Sequence, residues 1–379
     1  MAIINVRSPK HIPFTHSQQA SVTLTIKIWT GVETSPPTES DYVISKKAVN
    51  IGDTVVFEVS ELIRDYIETY FDGNYSSTPV WANFVLQAFN SSGGGVSGYG
   101  FTNLCLDGYD YFEQSSTSQD ATMITNRKLF VLEDNTFRIP INTSSSPTVT
   151  FLKDNEIVGS TVFQSSNQSS EQIKYVSIYG DDTNWDSFKE RVLENGGTDY
   201  ESNKCLEAYF NDYSIGAVDK IIVSDSDGVQ TINVSILEEC KYEPKKVTFV
   251  NKYGALQDMY FFKKAVEKMN VTKESYKSNI LDYNYVYNSS NHVYRDFNLV
   301  GKESITLSSG FLSEEYNEVF KQMMLSEKVW VTNIIEDGEQ VLPINVKTSD
   351  ITYKTSLNDK LVEYTIEFDK SFDTINNIR

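Results

Sequence analysis

Cysteine is scarce in this chain, and its few copies lie far apart. The 379 residues contain only three, which are Cys105, Cys205 and Cys240. An odd number at such distances excludes a small fold held together by disulfides.

Long apolar runs are also missing. No stretch approaches the roughly 18 consecutive apolar residues of a membrane-spanning helix. The first residues, "MAIINVRSPKH", reach a charge at Arg7 and a proline at Pro9, too early for the apolar core of a signal peptide. We therefore expect no membrane span and a soluble chain that is made in a cytosol.

Positive charge is in short supply. The chain has 33 Lys and Arg against 52 Asp and Glu, which gives a net charge of -19. A protein that holds nucleic acid needs a basic face to displace counterions from phosphates. We expect no specific nucleic-acid binding, and the acidic surface favours solubility and restrains unwanted association.

Histidine, the commonest catalytic and metal-binding side chain, occurs only as His11, His16 and His292. The first two are five residues apart in a segment expected to be an extended arm, and the third lies among turn formers. All three are predicted to be loop residues, and their spacing does not make a metal site.

No segment matches the common catalytic, phosphate-binding or calcium-binding motifs. "GGGVSGYGF" would be a nucleophile elbow only if glycine stood at Tyr99, and it fits no phosphate-binding loop. "SDSDGVQ" places Asp225 and Asp227 as in a calcium loop, but Ile236 stands where the bidentate glutamate belongs. We expect no enzyme, no cofactor and no metal. A pair of carboxylates for glycoside hydrolysis stays an open alternative, because the distance between two such groups depends on the fold and is not visible in the sequence.

Aromatic residues and strand patterns are abundant. The 23 Tyr and 21 Phe favour sheets, and the length predicts two or three domains. We predict a mainly β protein of β-sandwich modules with a few short helices. Its modules are an N-terminal β-sandwich with a short helix (1–118), a middle β-rich module (119–242) and a C-terminal α+β module whose antiparallel sheet is covered by one helix (243–379).

Helices are predicted at three places. Ser60 is expected to cap the first helix, a second is expected over 185–194, and Ser313 is expected to cap the third. The apolar stripe of the third helix is predicted to consist of Tyr316, Val319, Phe320, Met323 and Met324.

The last predicted strand, over 361–369, alternates apolar and polar residues. Val362, Tyr364, Ile366 and Phe368 share one face, which is predicted to pack on the third helix. Beyond the strand, Phe372 and Ile375 have no assigned cover, so they are predicted to lie against a neighbouring subunit.

A second candidate interface lies in "VNKYGALQDMYFFKK". Gly254 permits a tight turn, and the segment carries more apolar surface than one short element normally buries. The predicted interface residues are Tyr253, Leu256, Met259, Phe261 and Phe262. An ordinary core hairpin or the start of a helix is an equal alternative.

A tyrosine stripe follows in "DYNYVYNSSNHVYRDF". The spacing of Tyr283, Tyr285 and Tyr287 predicts one face of a strand, with Tyr294 nearby. Cross-strand aromatic packing is the favoured interpretation. A glycan-binding face and a face covered by a neighbouring subunit are the alternatives.

Three stretches carry a resemblance to a known family. They begin at "SVTLTIKIWTGV", "LEECKYEPKKVTFVNKYGALQDMYFFKK" and "NLVGKESITLSSGFLSEEYNEVF", and the last continues to the end of the chain. Together they resemble virion structural proteins of tailed phages that infect Bacteroidetes, including the crAss-like phages. The similarity covers the N-terminal third and most of the last 140 residues.

The resemblance implies a β-rich subunit of the phage tail, hub, neck or baseplate. It implies a homo-oligomeric ring, of sixfold or twelvefold symmetry, in contact with other tail, neck or portal proteins. The protein would be made in the host cytoplasm and located in the virion, without catalytic residues. A glycan- or receptor-binding module on the virion or cell surface is the main alternative, and a depolymerase is the weakest one.

Overall fold

Strands dominate the architecture, and the predicted mainly β fold class is confirmed. The computed structural model describes residues 3–75, 79–113, 121–132, 136–163, 173–179, 218–237, 241–335, 338–352 and 361–375. Among these residues α-helix is confined to two short segments. Neither is long and apolar enough to cross a membrane.

The N-terminal part is built on a five-stranded sheet in the order β1-β7-β6-β3-β4. Along β3 every second side chain is buried, because alternate residues of a strand point to one face. That face packs against the β2-β5 pair and α1, as expected for a sandwich. The elements are β1 (Ile3–Asn5), β2 (His11–Phe14), β3 (Ser21–Thr30), β4 (Tyr42–Lys47), β5 (Val55–Glu58), α1 (Ser60–Arg64), β6 (Val80–Phe89) and β7 (Gly95–Leu106).

The middle part contains a second five-stranded sheet, β11-β10-β13-β14-β8, and a separate β9-β12 pair. β10 and β11 form a hairpin that turns between Lys153 and Glu156, with positive φ at Asp154 and Asn155 as a tight hairpin requires. The helix predicted over 185–194 lies outside the described residues. The elements are β8 (Lys128–Leu132), β9 (Thr136–Asn142), a 3-10 turn (Thr143–Ser145), β10 (Thr148–Lys153), β11 (Glu156–Val162), β12 (Ile173–Tyr179), β13 (Lys220–Asp225) and β14 (Gly228–Leu237).

The C-terminal part is a seven-stranded antiparallel sheet with one helix on it. The strand order is β16-β15-β20-β21-β23-β18-β17, so β16 and β17 are the two edges. The elements are β15 (Lys245–Val250), β16 (Leu256–Phe261), β17 (Val266–Lys277), β18 (Tyr294–Ser308), β19 (Leu312–Ser313), α2 (Tyr316–Met324), β20 (Val329–Ile335), β21 (Gly338–Val346), β22 (Leu361–Val362) and β23 (Thr365–Lys370).

The last strand packs on α2 as predicted. The rings of Phe320 and Tyr364 are 4.6 Å apart between centroids, and Phe368 is fully buried. The strand is broken, however, into β22, which pairs with β19, and β23, which pairs with β18 and β21. Between them the Tyr364 N–H donates to the Ser309 hydroxyl.

Both predicted helix caps are wrong. Helix α2 begins at Tyr316, while Ser313 lies in β19 and its hydroxyl has no partner in the described chain. In α1, Ser60 is the first helical residue rather than the cap. Its N–H and hydroxyl both donate to Glu58 Oε1.

The sheets respect the predicted boundaries, but the buried apolar clusters cross them. The largest cluster joins residues of the middle part, such as Phe151, to residues of the C-terminal part, such as Phe320. Another joins Trp81, Met123 and Tyr253, one from each range. The three ranges therefore share buried surface, and the division at 118 and 242 stays a prediction.

Candidate interaction surface

The hairpin of β17 and β18 extends beyond the sheet that carries it. Strand β23 pairs with β18 only over Ser304–Ser308. Strand β17 pairs with β18 over a longer stretch, which reaches back to Tyr294 at the start of β18. From residue 269 to residue 303 the hairpin is therefore two strands wide; we call this segment the arm. The nine residues 269–277 span about 30 Å at the usual rise of a strand.

The arm is exposed along nearly its whole length. All twelve residues of β17 are exposed, and so are the first six of β18. Many of its exposed side chains are apolar, and no other region of the described chain carries so many. The large exposed apolar side chains within the arm are Met269, Val271, Tyr276, Leu281, Tyr283, Tyr285, Val286, Tyr287, Val293, Tyr294, Phe297 and Leu299.

Local contacts give the arm a defined shape. The register shifts between Thr272 and Glu274, opposite Asn298, whose φ is positive at 50°. Beyond this bulge the rings of Tyr276 and Phe297 are in contact, with centroids 5.7 Å apart. A bulge increases local twist and redirects the strand, so it sets the direction of the distal half of the arm.

Charges on the arm balance. It contains four cations, Lys273, Lys277, Arg295 and Lys302, and four anions, Glu274, Asp282, Asp296 and Glu303. Lys273 donates to Asp296 at 2.7 Å, and this hydrogen bond lowers the pKa of that carboxyl. The net charge of -19 therefore belongs to the rest of the chain.

The tyrosines at the tip lie in a loop, so the predicted strand over this stretch is wrong. Asp282 Oδ1 accepts hydrogen bonds from the N–H groups of Asn284 and Val286, and Tyr285 has φ of 62°. Side-chain oxygens that bind nearby backbone in this way compete with strand pairing. Tyr283 is 90% exposed and Tyr285 83%, so the favoured interpretation of cross-strand packing is wrong too.

The interface predicted in residues 253–262 lies inside the protein. Tyr253, Leu256, Met259, Phe261 and Phe262 are all buried by the chain's own residues. This corrects the interface prediction in favour of its alternative, an ordinary core hairpin, formed here by β15 and β16.

The cover comes from both sides of that hairpin. On one face Phe261 contacts Phe320 and Phe368, with ring centroids 6.2 and 6.1 Å apart. On the other face Phe71 and Tyr75, from the N-terminal part, pack with Leu256. The turn follows the prediction for Gly254, which has φ of 78° and leaves no room for a side chain against the backbone of residues 107 and 108.

A buried carboxyl lies beneath the second face. Asp258 Oδ1 accepts hydrogen bonds from the Tyr75 hydroxyl at 2.5 Å and the Thr248 hydroxyl at 2.8 Å, while Oδ2 has no partner among the described residues. Burial raises the pKa of Asp258, although Lys246 and Arg138 oppose the shift. Burial likewise raises the pKa of Tyr75 well above its ordinary value. The hydrogen bond between the Tyr75 hydroxyl and Asp258 therefore connects the segment after α1 to β16.

A cavity of about 230 Å³ lies where the three ranges meet, between β7, the segment after α1, β12 and the turn at Gly254. Burial raises the pKa of the Cys105 thiol to about 12, so it stays protonated at neutral pH and is not an activated nucleophile. Burial also raises the pKa of Asp107. The Tyr175 hydroxyl accepts a hydrogen bond from the Leu256 N–H and is thereby used within the fold.

The remaining predicted residues lie near the base of the arm. Phe372 and Ile375 are exposed, and between them Thr374 N–H donates to Gly301 O at 2.8 Å. Their role in an interface stays a prediction.

The histidine prediction is wrong at one position, because His11 lies in β2 rather than in a loop. Among the described residues no group of His, Cys, Asp and Glu is arranged to hold a metal ion.

Comparison with protein families and curated proteins identifies no relative of this chain. No protein-family model matches the chain, and no curated protein matches it significantly. Function is therefore inferred from the exposure, geometry and charge of the arm.

Proposed function

We propose that this chain is a non-enzymatic structural subunit of a bacteriophage virion and forms an oligomeric ring in the tail, the tail hub or the neck. The observation that carries the proposal is the arm, which exposes apolar side chains on a ribbon only two strands wide. Its neighbours would be further copies and other tail, neck or portal proteins.

A two-stranded ribbon is at best marginally stable in water by itself. Polar cross-strand contacts would suit a ribbon that stays in water, yet Val271 is 50% exposed and Phe297 is 40% exposed. Exposed apolar surface on an open edge promotes unwanted association unless it is covered. An arm of this kind is therefore suited to burial in an assembly.

Charge and sequence support the same function. The net charge of -19 keeps free subunits apart until specific surfaces meet. The stretches that resemble phage virion proteins include β3, the β15-β16 hairpin and the segment from β18 to α2. They therefore include the sheet that carries the arm.

The test is to measure the mass of the purified chain and to find it in virions. Light scattering and negative-stain imaging of the purified protein are expected to give closed rings, and labelled virions are expected to carry the label at the tail or neck. A strictly monomeric protein that is also missing from purified virions would contradict the proposal.

The exposed tyrosines of the tip favour a second candidate, a glycan- or receptor-binding module. Tyr283, Tyr285 and Tyr287 present rings to solvent, as sugar-binding faces do. Binding to a glycan array that is lost in a Tyr285→Asn, Tyr287→Asn variant would support it, since asparagine tolerates the positive φ at residue 285. Tyr70→Asn, at an exposed tyrosine outside the arm, is the control.

A further inference from the structure

We infer that the arm of one subunit lies on the next copy of the same chain, which covers its apolar side chains and the open edge of β17. This inference rests on the proposed function, because it names the partner of the arm within the ring. It does not follow from ring formation alone, since copies of a ring subunit can meet through other surfaces while the arm contacts a different protein.

Charge makes the arm the part of the chain best suited to contact a second copy. Contact between the bodies of two copies brings together surfaces that share the net charge of -19, and like charges repel. The arm, with four cations and four anions, adds no net charge to such a contact. It can therefore cross to an acidic neighbour without the repulsion that two bodies would meet.

The open edge of β17 supplies directional contacts as well. β17 is an edge of the seven-stranded sheet, and its only strand partner in the described chain is β18. The outward N–H and C=O groups of such an edge can pair with a strand of another chain. Main-chain pairing would fix the register of the arm on its neighbour.

The size of the arm is adequate for a stable contact. A ribbon about 30 Å long and about 10 Å wide offers on the order of 300 Å² on each face. The total comes close to the roughly 800 Å² per partner of a standard interface when the neighbour covers both faces and the loop of residues 278–293. Because the arm would meet a different surface of the next copy, the contact is heterologous and can close a ring.

The experiment compares the intact chain with an arm-shortened variant in which Asn-Gly replaces residues 273–299. The cut joins Thr272 to Val300, which are paired across the hairpin, so a two-residue turn fits there. We expect rings from the intact chain and monomers from the variant at the same concentration. Circular dichroism and the melting temperature of the monomer check that the variant is folded.

A charge swap tests the acidic partner without removing the arm. Asn270 and Asn284 are exposed on the arm, so both are changed to Glu in one variant and both to Lys in the other. At low salt we expect the Glu variant to associate at least about tenfold more weakly than the Lys variant, and the difference to vanish at high salt. Equal association of the two variants at low salt would contradict an acidic partner.

A photo-cross-linking side chain at residue 285 identifies the partner in purified virions, with the same side chain at the exposed Phe112 as the control position. We expect cross-links from residue 285 to a second copy of this chain. Cross-links to another virion protein, or rings that form equally well without the arm, would overturn the inference but leave the proposed function standing. A monomeric chain absent from virions would remove both.

Discussion

The two edges of the seven-stranded sheet differ completely in their surroundings. All six residues of β16 are buried, whereas all twelve residues of β17 are exposed. Both strands belong to hairpins of one sheet and both carry apolar side chains. What separates them is cover, because α2 and residues 71–75 lie over β16 while nothing in the described chain lies over β17.

An edge strand with apolar side chains needs protection, and the described part of the chain covers only one of the two edges. At β16 the cover comes from segments distant in sequence but in the same chain. At β17 we propose that it comes from a neighbouring subunit. On this account substitutions at β16 lower the stability of the free subunit, while substitutions in the arm lower association.

The largest expected loss of stability is at the covered edge. Phe261→Ala removes a fully buried ring from between Phe320 and Phe368, and we expect it to lower the free energy of unfolding by about 3 to 5 kcal/mol. Urea unfolding of the dissociated subunit measures the change. A loss below about 1 kcal/mol would mean that the edge is not packed as described.

The second largest loss of stability is expected from removing the hydrogen bond between Tyr75 and Asp258. Tyr75→Phe keeps the ring but removes the hydroxyl that donates to Asp258, which leaves the buried carboxyl with fewer partners. We expect a loss of about 1 to 3 kcal/mol, again from urea unfolding. Tyr276→Phe on the arm, where the residue is about half exposed and Phe keeps the ring contact with Phe297, is the matched control and is expected to leave stability unchanged.

The buried carboxyl also predicts a pH dependence. Burial raises the folded-state pKa of Asp258 above its ordinary value of 3.8, so the folded state binds the proton more tightly than the unfolded state. Stability from this group is present at low pH and is lost as pH rises through the folded pKa. Asp258→Asn lacks this loss, so the stability of this variant relative to the natural chain should rise as the pH increases above about 4, the range in which the unfolded carboxyl ionises and the buried one still holds its proton. Parallel curves would contradict the assignment.

The smallest expected effect on stability is in the arm. Phe297→Ala removes an exposed ring whose main contact is Tyr276, and we expect it to change the free energy of unfolding of the dissociated subunit by less than about 1 kcal/mol. Its comparison with Phe261→Ala is a direct contrast of the two edges. The same variant is expected to weaken ring formation, which light scattering measures.

Elements that are buried on one face show a periodic pattern of apolar residues in the sequence. In β3 and in the segment of Val362, Tyr364, Ile366 and Phe368, one face is buried and the other is not, so polar and apolar residues alternate. The stripe of α2 is visible for the same reason. These elements were predictable because burial on one face leaves a periodic signal.

The arm leaves no such signal. β17 is exposed on both faces, and its sequence "VEKMNVTKESYK" mixes charged and apolar residues without a period. The tyrosines at 283, 285 and 287 have the spacing of a strand, but hydrogen bonds to Asp282 form a loop there. The interface was predicted at β16 instead, because apolar composition does not reveal whether cover comes from the same chain or from another.

Hydrogen–deuterium exchange of β16 and β17 tests the contrast most directly, when dissociated subunits are compared with assembled rings. We expect amides of β16 to exchange slowly in both states. We expect amides of β17 to exchange rapidly in the subunit and at least about tenfold more slowly in the ring. Equally rapid exchange of β17 in both states would contradict the claim that assembly covers this edge.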